Sequence, residues 1–137
     1  MANETTNVLA ALRATLLADA TVTGLVRNRI RTAHVADGEA LPLSYPFVIV
    51  APIGGVGRYN RHVMNTAVEV LVYSKVSVAE CLDVYQAIYS VLQAGRLYRD
   101  GIATRGVIRE TDRPREGYND GLVSWYTRAT YDVISAA

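Results

Sequence analysis

The chain has 137 residues, of which 50% are hydrophobic and 20% charged, and its formal net charge is +1. This length and composition predict one folded domain over residues 1–137 and exclude a disordered chain. The near-neutral charge argues against a protein drawn to nucleic acid by its overall field, and no apolar run approaches the ~20 residues of a membrane-spanning helix.

The first third of the sequence predicts a helix that gives way to irregular chain. Val8, Leu9, Leu12 and Leu16 recur at the spacing of one helix face. The start of the chain, Met1–Thr6, lacks the basic and apolar regions of a signal peptide, so we expect the protein to be soluble and cytoplasmic when it is made. The predicted elements are a helix over 6–18, an interruption over 19–24, a short turn or helix over 25–26, a strand over 29–34 and a loop over 35–46.

The middle of the chain carries the clearest pattern. Residues 47–51 form a continuous apolar run, which predicts a strand with both faces covered, or with one face in an interface. Residues 65–73 alternate with period two, which predicts a second strand after a flexible connection over 53–62. Ser77 and Glu80 then have capping-box spacing at the start of an amphipathic helix that continues to about Leu92.

The last third predicts two strands joined by a charged loop. The strands cover 106–112 and 123–134, and the loop between them covers 113–121. The whole order predicts an α+β fold, an antiparallel sheet with an N-terminal helix and a long amphipathic helix packed on one face.

No group of residues has the spacing of a reactive site. His34 and His62 are far apart and lack metal-ligand neighbours, and Cys81 lies on the apolar stripe of the long helix. The segment Gly54–Gly57 lacks the lysine and hydroxyl residue of a phosphate-binding loop. Carboxylate pairs occur at 110/112 and 37/39, and ion pairing with the neighbouring arginines explains the first pair equally well. We therefore expect no enzyme activity, no metal and no cofactor.

Two segments have the composition of contact surfaces, because each mixes arginine with tyrosine. The first contains Arg58, Tyr59 and Arg61, and the second contains Arg113, Arg115 and Tyr118. Arginine and tyrosine are enriched at protein interfaces, and 13 of the 14 basic residues of the chain are arginine. These six residues are predicted to contact a neighbouring subunit or a partner. The alternatives are contacts to a nucleic-acid backbone and hairpin tips that face only solvent.

The pattern resembles that of siphophage tail-terminator proteins, also called tail-completion or minor tail proteins of the lambda gpU type. The likeness covers most of the chain and is one of pattern. The residues that carry it are Leu9-x-x-Leu12, Leu25-Val26-x-x-Arg29-Ile30, Pro42-x-x-x-Pro46 with the strand after it, the strand 68–73 leading to Ser77-x-x-Glu80, and the final strand over 123–133.

The resemblance implies a virion protein of the phage tail or neck with an α+β fold and no enzyme activity. It implies a homohexameric ring that caps the finished tail tube, ends its polymerisation and offers a docking face to the head connector. Its partners would be copies of itself, the major tail tube protein and the connector or stopper protein, and DNA would pass through the ring without sequence-specific binding. The alternatives are a head–tail connector or stopper protein, a small enzyme or ligand-binding domain that uses Gly54–Gly57, and a nucleic-acid-binding module.

Overall fold

The computed structural model describes residues 4–32, 45–58, 63–93, 96–99, 102–105, 107–120 and 123–136. They form the α+β fold that the sequence predicts, three helices and seven strands. In chain order the elements are α1 Glu4–Leu17, α2 Ala20–Val26, β1 Ile30–Arg31, β2 Phe47–Arg58, β3 Val63–Ser74, α3 Val78–Leu92, β4 Arg96–Arg99, β5 Ile102–Arg105, β6 Val107–Asn119 and β7 Ser124–Ala136.

The break between α1 and α2 is much shorter than the predicted interruption over 19–24. Asp19 is the N-cap of α2, and its carboxylate accepts hydrogen bonds from the backbone N–H groups of Thr21 (2.9 Å) and Val22 (3.0 Å). These bonds satisfy two of the N–H groups that a helix start leaves without partners. The threonine-rich segment that the sequence predicts to be an interruption therefore contains the first turn of helix α2.

Helix α3 begins where the sequence predicts. The Ser77 hydroxyl accepts a hydrogen bond from the backbone N–H of Glu80 at 3.2 Å. The Glu80 carboxylate does not close the second half of the predicted capping box, since it accepts instead from the Ser74 hydroxyl at 2.7 Å. The start of α3 is thereby tied to the end of β3. Most of the predicted loop over 35–46 lies outside the described residues.

The main sheet has five strands in the order β1-β2-β3-β7-β6, and β4 and β5 form a separate hairpin. Pairing is antiparallel except at the β1 edge, where β1 runs parallel to β2. The prediction of a wholly antiparallel sheet was therefore wrong at this edge. Parallel neighbours arise from a crossover, which local sequence does not encode.

Strands β2 and β6 are both longer than predicted. Residues 53–58 belong to β2 and are not a flexible connection, and residues 113–119 belong to β6 and are not a loop. The register of β6 against β7 shifts between Glu110 and Asp112, and again between Asp112 and Arg115. The shifts are bulges, which let an edge strand carry charged residues and a proline without losing its pairing.

Both faces of the sheet carry buried apolar residues. On one face, the core includes Leu12 and Leu16 of α1, Ile88 of α3, and Val70 of β3. On the other face, a smaller cluster contains Phe47, Ile49, Ala51, Leu71 and Tyr73, with Tyr45 and Tyr126 packed against it. Every residue of the apolar run 47–51 is at most 1% exposed. The covered-on-both-faces alternative is confirmed within a single chain, so this strand does not require an interface.

Candidate interaction surface

Arg58 of the first arginine–tyrosine segment and Tyr118 of the second lie at opposite ends of the sheet. Arg58 is the last residue of β2 and pairs with Met64, whereas Tyr118 pairs with Trp125 beside the other end of β3. A twelve-residue strand such as β2 spans roughly 35–40 Å. Arg58 and Tyr118 therefore do not belong to one site. Tyr59 and Arg61 lie outside the described residues.

Arg113, Arg115 and Tyr118 lie on strand β6, not on the predicted loop. Charged residues and Pro114 suggest a turn when they are considered locally. On an edge strand, however, charged residues and proline protect the edge from pairing with other chains. Residues 115–118 offer a rigid surface, because each of these four residues pairs with a residue of β7.

An exposed aromatic pair lies at the end of the β6–β7 hairpin. The rings of Tyr118 and Trp125 meet edge to face, with centroids 4.9 Å apart. Tyr118 is 45% exposed and Trp125 is 39% exposed. Aromatic pairs of this geometry hold each other in place, so two large rings are presented to solvent in a fixed arrangement.

Two exposed valines lie at the same end of the sheet as the aromatic pair. Val123 precedes β7 and is 62% exposed, and Val76 is 72% exposed in the turn after Ser74, which is the β3 partner of Trp125. Val123 also has a φ angle of 50°, a left-handed conformation that is unfavourable for a β-branched residue. We call Val76, Tyr118, Val123 and Trp125 the tip patch. An exposed apolar group of this kind is typical of a contact surface.

Arg115 on this edge forms an ion pair but remains exposed to solvent. Arg115 lies 3.6 Å from the Asp112 carboxylate, and its side chain is 77% exposed. Such an exposed pair contributes at most about 1 kcal/mol. Across the strand, Arg115 is opposite Arg128, whose guanidinium donates to the nearly buried Glu69 carboxylate at 2.6 Å. Arg128 is therefore committed to the sheet, and Arg115 is available for contacts outside the chain.

A shallow groove of about 480 Å³ lies beside the tip patch on strands β3, β6 and β7. Gly117 contributes to its shape, since a Cβ atom there would lie 2.5 Å from the Tyr126 ring. The ring therefore packs directly over the glycine backbone. The groove is lined by Glu69, Leu71, Tyr73, Tyr118, Asn119, Asp120, Tyr126 and Arg128.

The titratable groups of the interior are placed for packing and hydrogen bonding. Cys81 is completely buried, and burial raises the pKa of its thiol to about 11, so the thiolate that a nucleophile requires is not formed at neutral pH. Tyr85, Tyr131 and Glu110 form a hydrogen-bonded chain that joins α3, β7 and β6. Burial raises the pKa of both tyrosines, which keeps their hydroxyl groups protonated.

The described residues give little support for a metal site, a phosphate-binding loop or a membrane-spanning helix. None of them forms a group of three His, Cys, Asp or Glu side chains that could hold a metal ion, and His34 and His62 lie outside them. Gly54–Gly57 lie in strand β2, whereas a phosphate-binding loop precedes a helix. In the described ranges, no single helix is long and apolar enough to cross a membrane; α1 and α2 reach that length only together, across an 89° bend.

Sequence reasoning identified Tyr118 but missed the rest of the tip patch. The alternation in β7 places Trp125 on the same face as Ala129, Tyr131 and Val133, which are all buried. Nothing in that periodicity distinguishes an exposed ring from the buried ones. An unusual valine at a position with positive φ is also invisible until the backbone is known.

Comparison with known proteins gives one informative result. The fold matches a chain of a solved structure described as the virion of a native gene transfer agent (GTA) particle, with a TM-score of 0.69 and 15% identity. The match covers 96% of each chain, so the two share a fold over nearly their whole length. No protein-family model matches the sequence, and neither does any curated protein.

Proposed function

We propose that this protein is a structural component of a phage-type virion, and that it acts as the tail terminator. In this role a homohexameric ring caps the completed tail tube, ends tube polymerisation and provides the docking face for the head connector. The observation that carries the proposal is the shared fold with a GTA virion chain over 96% of both chains. The tail-terminator sequence pattern supports the finer assignment.

The arrangement of the contact residues supports a protein with two docking faces. A cap must bind the tube on one side and the connector on the other. Arg58 lies at one end of the sheet, and Arg115 of the second predicted segment lies in the half of the sheet towards the opposite end. The two segments are therefore far enough apart to contact different partners.

The described interior also fits a structural role better than a catalytic one. Cys81 is buried with a raised pKa, and Tyr85, Tyr131 and Glu110 bond to one another. No described residue pairs an exposed nucleophile with a base. We propose that the protein has no enzyme activity and needs no cofactor.

Polymerisation of the major tail tube protein from the same genome tests this function. Tubes grown with and without the protein are compared by electron microscopy. We expect added protein to limit tube length and to form a ring at one tube end. Tubes of unchanged length without end rings would contradict the terminator role. Binding to the head connector without any effect on tubes would support the connector or stopper alternative. The shared fold with a GTA virion chain supports that alternative equally well.

A further inference from the structure

Two exposed surfaces with complementary chemistry lie at opposite edges of the five-stranded sheet. Tyr118, Val123 and Trp125 of the tip patch lie at the end of the β6–β7 hairpin, and the segment from α2 into β1 lies at the other edge of the sheet. The acidic residues of 116–127 are Glu116 and Asp120, and the flanking arginines, Arg115 and Arg128, pair with Asp112 and Glu69. Residues 27–31 include three arginines and no acidic residue. Opposite charges at opposite edges suit a contact between successive copies of one chain.

The α2–β1 edge also offers an apolar group beside its charge. Leu25 is 40% exposed near the end of α2, and Arg27 is the exposed C-cap residue of that helix. Arg29 is held by a hydrogen bond to the Pro46 carbonyl at 2.9 Å. Arg27 and Leu25 are therefore the side chains of this edge best placed to contact a neighbour.

The tip patch has the chemistry to receive that pair of side chains. A guanidinium group stacks favourably on the faces of tryptophan and tyrosine, and nearby carboxylates add to the attraction. Tyr118 lies between Glu116 and Asp120 in the sequence and packs against Trp125. Val76 and Val123 provide apolar area for a leucine.

We propose that the tip patch of one copy docks on the Leu25–Arg27 edge of the next copy, and that this head-to-tail contact closes the ring. The inference deepens the proposed function and rests on it. Two different surfaces on opposite sides of a subunit generate a ring when the rotation between copies closes. A two-fold contact would instead place the same surface on both sides, which would juxtapose the carboxylates of the two tips.

Mixing two variants tests the contact directly. Trp125→Ala removes the tip surface, and Arg27→Glu removes the opposite surface, so neither variant alone should assemble. We expect each change to weaken self-association about 30-fold, as is typical of an interface hot spot. In a mixture, the intact tip of the Arg27→Glu chain should dock on the intact edge of the Trp125→Ala chain. Native mass spectrometry should then detect dimers that grow no further.

Matched variants separate the contact from effects on folding. Arg109→Glu reverses a charge that is 69% exposed on the same strand but away from the tip, and it should assemble as the wild type does. Combining Arg27→Glu with Asp120→Lys exchanges the two charges and should restore much of the lost association. Thermal melting of each variant shows whether the monomer remains folded.

The outcomes distinguish this inference from the proposed function. If the wild type forms rings and both single variants also do, the docking inference is wrong and the ring stands. If the variants fail to assemble but their mixture gives no dimer, the two surfaces do not contact each other and the inference is again wrong. If the wild type forms rings neither in solution nor on tail tubes, the proposed function itself fails.

Discussion

The buried Tyr131–Tyr85–Glu110 chain allows a quantitative test of how α3 is held on the sheet. The Tyr85 hydroxyl donates to the Glu110 carboxylate at 2.8 Å and also contacts the Tyr131 hydroxyl. Because Tyr85 has one proton and gives it to the carboxylate, Tyr131 must donate to Tyr85. Tyr85→Phe therefore removes an acceptor and a donor together, and Tyr131→Phe removes only a donor.

The two substitutions should differ in cost. Tyr85 is 4% exposed and Tyr131 is 2% exposed, so water does not readily replace lost partners. Tyr85→Phe loses a hydrogen bond to a charged group and leaves the Tyr131 hydroxyl buried without an acceptor, which together cost about 3 kcal/mol. Tyr131→Phe loses one neutral hydrogen bond, which costs about 1 kcal/mol. For this chain length, the corresponding decreases in Tm are about 10 °C and about 4 °C.

Thermal unfolding followed by circular dichroism measures these differences. Tyr89→Phe is the matched control, because Tyr89 is a half-buried tyrosine of the same helix whose hydroxyl bonds to no other described residue. The double variant of Tyr85 and Tyr131 should cost less than the sum of the single changes, since it leaves no orphaned tyrosine hydroxyl. A Tm for Tyr85→Phe within 2 °C of the wild type, or a larger loss for Tyr131→Phe, would refute the proposed order of donors.

Three further predictions test other parts of the structure. Gly117→Ala should displace the Tyr126 ring and lower the Tm. Gly24→Ala, in an open helical position, should instead stabilise the protein by about 0.5–1 kcal/mol. Melting curves of the two variants check that the two effects have opposite signs. Cys81 should react slowly with thiol reagents in the native protein. Because burial raises its folded pKa to about 11, its contribution to stability should be complete below pH 9 and be lost as the pH rises from 9 to 11; comparing wild type and Cys81→Ala in urea across this pH range checks both its size and its sign. Arg115→Glu should melt normally and fail to complement in an infectivity assay, and full complementation would show that Arg115 faces only solvent.

The elements that the sequence predicts well are those with strong local signals. Helix α3 has an N-cap serine and a continuous apolar stripe, and it begins at Val78, directly after the predicted cap Ser77. Strand β3 alternates over its whole predicted length because one face packs on the helices. In both cases the signal lies within the element itself.

The features that sequence missed depend on position within the sheet. The charged segment of β6 is a strand only because β7 lies beside it, and the parallel pairing of β1 depends on a crossover. The β4–β5 hairpin lacks a pattern that separates it from loop. Of the tip patch, the sequence predicted Tyr118. It did not predict Trp125, because the exposure of this residue depends on how far β7 extends beyond the buried core.

The bulges of β6 limit how copies of this protein can meet. A regular edge strand would invite a neighbour to continue the hydrogen-bond ladder, and nothing in a ladder limits the number of strands that can be added. The two register shifts and Pro114 interrupt the spacing of backbone donors and acceptors along this edge. Contacts at this edge are therefore made through side chains. The growth of open-ended fibrils by addition of strands at this edge is thereby disfavoured.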